Sequence, residues 1–303
     1  MSEIRVFFPQ HTPYNVRLIL ILDLLIRGHS MSYTEIQPVT FNELVGEEIV
    51  DLIFTKAPTK VLSRVVNAIM HVEKAKKLKD IDAEMASIRL IAAEEELVVA
   101  IFEWLKLNKE KMPQHTELVK SYKNHQVKLM FVPVLLLMKN ILWHCVLPIP
   151  NLNEENLKIY PKYDDGKIVI MFGLPFSDVE FPLNPLSVFI TMGEDVEENQ
   201  VVDSLYSELE ETVKIKYGMT LKQFIKQRAE FRNILLYAGD ALPVNYMVDY
   251  DEMTSTCYSA YEALLWSLAA LLTNDPLSPH LGAVSQFIAI YKKVLLDSKV
   301  IRL

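Results

Sequence analysis

The sequence predicts an α/β protein, helix-rich overall, in which a parallel sheet carries extensive helical insertions. Three observations predict it. The stretch "RVFFPQHTPYNVRLILILDLLIRGHSMSY", Arg5 to Tyr33, reads as strand, loop, helix and strand, the β-α-β seed of a parallel, Rossmann-like sheet. Helical periodicity fills the chain from Asn42 to Lys111 and returns near the C-terminus. Between these stretches come short β-branched and aromatic runs, clearest in "KIVIMFGLPF", Lys167 to Phe176.

Each element has a local cause. "IRVFF", Ile4 to Phe8, is a strand ended by Pro9. "VRLILILDLLIRGH" is apolar around most of its circumference, as in a helix covered on most sides; Thr12 or Asn15 caps its start and Gly28 follows its end. "MSYTEIQPV" alternates and closes the unit as a strand. Helices follow in "EEIVDLIF", "KVLSRVVNAIMHVEKAKK" and "DAEMASIRLIAAEEELVVAIFEWLKLNK", divided by Pro58 and the "KDID" turn. "HQVKLMFVPVLLLM" resumes β character, and "CVLPIP" ends in prolines. The turn "DDG", Asp164 to Gly166, announces the Lys167 to Phe176 strand, and "NPLSVFITMGE" is one more. "DSLYSELEETVKIKYG" is a helix ending at Gly218, "TLKQFIKQRAEF" is capped by its threonine, and "NILLYAGDALP" is strand then turn. "TSTCYSAYEALLWSLAALLT" and "LGAVSQFIAIYKKVLLDSK" are the closing helices. Two segments result: 1–150, the β-α-β start with its helical insert, and 151–303, strands followed by C-terminal helices. Pro148 to Pro161 is the natural linker, unless the two form one continuous domain.

Composition narrows the chemistry. In 303 residues, half of them apolar, there is material for a sizeable core. Only 8 are glycine, and neither G-x-G-x-x-G nor G-x-x-x-x-G-K-[ST] occurs, which argues against a glycine-rich phosphate loop. A net charge of -8 repels phosphate backbones, so nucleic acid is not an expected partner. The lysines of "KAKKLK", Lys74 to Lys79, read as a solvated helix face. Cys145 and Cys257 stand apart in apolar surroundings, which suits a reducing, cytoplasmic setting and gives no metal cluster. The start "MSEIRVFF" lacks the pattern of a signal peptide. "LMFVPVLLLMKNILWHCVLPIP", Leu129 to Pro150, carries Lys139, Asn140 and His144 near its middle and several prolines. It reads as buried strands around a loop or helix rather than a membrane span.

Isolated constellations have structural explanations. His144 beside Cys145 is a buried pair, because neighbours on a strand face opposite ways. Asp164 and Asp165 belong to a hairpin turn, and "MGEDVEE" is a solvated loop. "YAGDALP", with Gly239 and Asp240, sits where an open α/β sheet would line a ligand crevice.

The opening residues resemble the N-terminal, acceptor-type domain of UDP-glycosyltransferases with the GT-B fold. The likeness is carried by "VFFP" at Val6 to Pro9, Asn15 at the helix start, "LLIRGH" at Leu24 to His29 and "MSY" at Met31 to Tyr33. Gly28 permits a left-handed exit from the helix, and the His29 imidazole meets the negative end of the helix dipole. The resemblance implies a transferase binding a small apolar acceptor, with a nucleotide sugar as donor substrate and no bound cofactor or metal. Family members use a first-loop histidine as general base on the acceptor hydroxyl, and that position is Pro13 here. His11, two residues earlier, is the candidate base, with Pro13, Tyr14, Asn15, Gly239 and Asp240 as candidate substrate contacts. "KLMFVPVLL" has no acid to orient such a histidine, and nothing resembles the family's donor-binding half. A partner chain or a second copy would then complete the nucleotide site. The alternative expectation is a non-enzymatic, acidic, helix-rich scaffold or assembly subunit working through protein-protein interaction, with apolar faces exposed on Tyr258 to Leu272 or Leu281 to Leu296.

Overall fold

The computed structural model of the chain describes residues 38–111, 118, 121–146, 158–164, 167–176, 179–187, 197–236, 249–273 and 282–301. They are predominantly helical: α1 (Val39–Val45), α2 (Glu47–Lys56), α3 (Thr59–Leu78), α4 (Ala83–Leu107), α5 (His125–Val146), α6 (Glu198–Tyr217), α7 (Leu221–Leu236), α8 (Tyr250–Thr273) and α9 (Ala283–Asp297). Three strands, β1 (Lys158–Asp164), β2 (Lys167–Phe176) and β3 (Val179–Leu183), lie between α5 and α6.

The helix ends follow local chemistry. Asp82 caps α4 by accepting the Met85 amide at 2.8 Å. Thr220 and Gln223 form a reciprocal capping box at the start of α7: the Gln223 amide donates to Thr220 Oγ1 at 3.2 Å, and the Thr220 amide to Gln223 Oε1 at 2.9 Å. Asp249 accepts the Asp251 and Glu252 amides and begins α8. Gly218 ends α6 in the left-handed conformation, φ 67°, where a side chain would be strained.

The core is organised around α4. Its neighbours are α3, α5, α7 and α8, and buried side chains run nearly all the way around it, from Ala86 to Leu105. A helix enclosed on most sides has no polar stripe to spare. α3 shows the opposite pattern, with Val61, Leu62, Val65, Val66, Ile69 and Val72 on one buried face. Phe102, Phe131, Phe287 and Tyr291 stack α4, α5 and α9 together, the closest rings being Phe131 and Phe287 at 5.0 Å. Two buried hydroxyls fasten helices to backbone: Tyr261 on α8 donates to the Leu90 carbonyl at 2.6 Å, and Tyr291 on α9 donates to the Val127 carbonyl.

The sheet corrects the expected fold class. Its order is β1-β2-β3 and both pairings are antiparallel. Among the described residues there is no parallel pairing, so the Rossmann-like, GT-B architecture is not what the chain adopts there. The β-α-β unit of Arg5 to Tyr33 lies outside the described residues. The Lys167 to Phe176 strand stands as expected, and Asp164 pairs with Lys167 across the "DDG" turn. Its partner β1 begins in the stretch read as a linker, at Lys158, and runs past the end of that stretch to Asp164. Pro161 masks it, yet fits. The Asp164–Lys167 pair closes a two-residue connection and is therefore hydrogen-bonded, and alternation makes Pro161–Ile170 a non-hydrogen-bonded pair. The missing N–H of Pro161 thus faces away from β2. The same count from Phe176–Val179 turns Pro182 outward on β3. Each outer edge carries a proline where an added strand would need a donor.

Three further expectations change. "HQVKLMFVPVLLLM" and the residues through Val146 form one helix, α5, with Pro133 inside it, instead of strands. Asn233 to Leu236 continue α7 instead of forming a strand. Pro185–Ser187 is a turn of 3-10 helix where a strand was expected. Short Val- and Leu-rich runs suit a buried helix as well as a buried strand, and enclosure by α4, α7, α8 and α9 decides the matter for α5.

Candidate functional site

The charged groups that the fold brings together lie along one seam, where α3 and the first turn of α5 meet α4. Glu94, Glu95 and Glu96 interrupt an otherwise apolar stretch of α4. Glu94 and Glu95 are buried and Glu96 is largely covered. Glu96 accepts from Arg64 Nη1 on α3 at 3.2 Å and from Asn67 Nδ2 at 3.4 Å. Glu95 accepts from His125 Nδ1 at 2.8 Å and from Lys128 Nζ at 2.5 Å, both on α5. α5 has no acid in its own first turn, so Glu95 supplies the negative charge that its N-terminus favours. One turn and a half before Glu95, Arg89 Nη1 donates to His71 Nδ1 on α3 at 3.4 Å, which requires the neutral, Nε2-protonated imidazole.

Burial, then the Arg89 guanidinium, hold the His71 pKa below the ordinary histidine value; Glu96 and Glu95 pull the other way and Lys74 adds to the depression. A second, exposed network joins α6 to α9. Lys293 Nζ lies 3.0 Å from Asp203 and 3.5 Å from Asp297, and 4.9 Å from the centre of the Tyr206 ring. The Asp203 hydrogen bond raises the Lys293 pKa, and burial with nearby Glu210 and Asp297 raises that of Tyr206.

The Glu95–His125 pair has the form of a carboxylate-oriented imidazole, the arrangement that general-base catalysis uses. Among the described residues no hydroxyl or thiol is hydrogen-bonded to His125. Lys128 shares its carboxylate. Glu95, His125 and Lys128 together link α4 to the first turn of α5.

His11, Pro13, Tyr14, Asn15, Gly239 and Asp240 all lie outside the described residues. Lys74, Lys77 and Lys79 of the lysine run are exposed at the end of α3, and Lys76 pairs with Glu73 at 3.5 Å, which fits a solvated face. His144 and Cys145 are consecutive residues of a helix, not of a strand. Among the described residues no group of His, Cys, Asp and Glu could hold a metal ion, and no helix is long and apolar enough to cross a membrane. The seam itself carried one sequence signal, three consecutive glutamates inside an apolar helical run, which periodicity alone passes over.

The expected apolar surfaces are also relocated. Tyr261, Leu264, Leu265 and Leu268 of α8 and Ile288, Ile290, Tyr291 and Val294 of α9 are core. Exposed apolar side chains gather instead near helix corners: Ile81 (81%) and Met85 (37%) between α3 and α4, Ile215 (78%) and Tyr217 (41%) at the end of α6. An open depression of about 550 Å³ lined by Glu210, Glu211, Lys214 and Ile215 adjoins the second pair. No protein-family model, curated protein or solved structure matches the chain.

Proposed function

We propose that the chain is a non-enzymatic assembly subunit, a helix-rich scaffold whose helix corners contact neighbouring copies. The observation that carries this reading is the display of Ile215 and Tyr217 beside an open depression, with Ile81 and Met85 forming a similar apolar corner elsewhere. Interfaces are enriched in such side chains set in a polar rim, and Glu210, Glu211, Lys214 and Lys216 supply that rim. The interior supports the same reading: the charged groups of the seam are committed to holding α3, α4 and α5 together. The sugar-transfer reading depended on a parallel sheet, which the described residues do not form.

Light scattering across a range of protein concentrations tests the proposal. The expected result is a mass above the 34.9 kDa of one chain, falling toward that value in Ile215→Asp. A single-chain mass at every concentration overturns it.

A further inference from the structure

We propose that His71 is a proton-operated latch on the α3–α4 hairpin: as the neutral imidazole it accepts the Arg89 guanidinium and closes the seam, and on protonation it repels that guanidinium and loosens the last two turns of α3. Three observations carry this. Arg89 donates to an acceptor that exists only on neutral histidine, at 3.4 Å in a half-buried position. Arg89 Nε is buried with no hydrogen-bond partner among the described residues, so that nitrogen does not hold the guanidinium in place. The carboxylates that would otherwise neutralise an imidazolium are engaged elsewhere, Glu96 with Arg64 and Asn67, Glu95 with His125 and Lys128.

The charged surroundings of His71 are Lys74 on its own helix and Arg89, Glu95 and Glu96 on α4. From α1, which also packs on α3, the acid Glu43 lies toward Tyr258. Protonation therefore adds a positive charge beside the Arg89 guanidinium, with Lys74 adding to the repulsion and Glu95 and Glu96 opposing it. His71 lies seven residues, about two helical turns, before the end of α3 at Leu78. What loosens is the part of the hairpin that leads to the exposed Ile81 and Met85 corner.

The sign follows from linkage. A histidine whose folded pKa is lowered contributes stability that is present above its unfolded value and is lost as pH falls through the folded value. The latch thus holds at neutral pH and opens on acidification below the ordinary histidine range.

Hydrogen exchange of residues 68–78, read at pH 7.5 and at mildly acid pH after correction for intrinsic exchange, tests this in the full chain. The control is His71→Gln, whose side-chain oxygen can still accept from Arg89 and does not titrate. Protection in the wild type is expected to drop severalfold on acidification while the Gln variant keeps it. An equal drop in both proteins overturns the latch. If His71→Gln folds poorly, NMR titration of the imidazole in the wild type and in Arg89→Met decides: a midpoint that rises when the guanidinium is removed supports the latch, and an unchanged midpoint sinks the proposal.

Discussion

The seam on α4 and the network between α6 and α9 use the same chemistry at different depths. In the first, Glu95 is 7% exposed and its partner Lys128 12%; in the second, Lys293 is 30% exposed and its partner Asp203 66%. Water and salt screen the outer network, so its charges gain little from meeting. The inner one has given up hydration and depends on its partners. Short distances alone therefore say little about which pair holds the fold; burial decides.

The largest effect that would test this contrast is Glu95→Ala. It leaves the Lys128 cation uncompensated in the interior, and the loss is expected to be about 3 kcal/mol in urea unfolding, toward the low end for a buried pair because half-exposed His125 admits water. A double variant, Glu95→Leu with Lys128→Met, is expected to recover most of that loss, since two well-packed apolar groups replace both charges. If the double variant is as unstable as the single one, the seam owes its strength to something other than charge compensation.

Next comes Tyr261→Phe. It removes the hydroxyl that joins α8 to Leu90 while keeping the ring, and the expected cost is about 1 kcal/mol, because the Leu90 carbonyl keeps its place in the α4 ladder. A thermal scan showing no change would mean that ring packing alone fastens α8.

The smallest effect belongs to the surface. Lys293→Met is expected to cost below about 1 kcal/mol at low salt and almost nothing at high salt. The raised Lys293 pKa gives this contribution a pH signature: it is present below the ordinary lysine value and is lost as pH rises through the folded value. His71 has the opposite signature, losing its contribution as pH falls. A stability profile that declines at both ends, with the acid limb flattened by His71→Gln and the alkaline limb by Lys293→Met, would sharpen the comparison. A Lys293→Met loss as large as that of Glu95→Ala would break it.

Much of the helical framework was legible because its causes are local. Pro58, the "KDID" turn with its Asp82 cap, Thr220 before α7 and Gly218 after α6 all act within one turn of chain. The strand from Lys167 to Phe176 was legible too, with its β-branched run and the Asp164 to Gly166 turn. β1 was hidden by Pro161, since whether a proline breaks a strand depends on which way its missing N–H points. α5 was misread because its Val- and Leu-rich run suits two buried structures equally well. The six candidate site residues fall outside the described residues, and the seam was missed because Glu95 and His125 are thirty residues apart.

By itself, then, the sequence determined where most helices start and stop and that the chain could enclose a large core, because caps, turns and periodicity are written in adjacent residues. Tertiary structure decided that the strands pair antiparallel, that α5 is a helix, and that two of three glutamates in an apolar run, Glu95 and Glu96, form the ion pairs of an interior seam. Those outcomes depend on what surrounds each segment, and the surroundings come from distant parts of the chain.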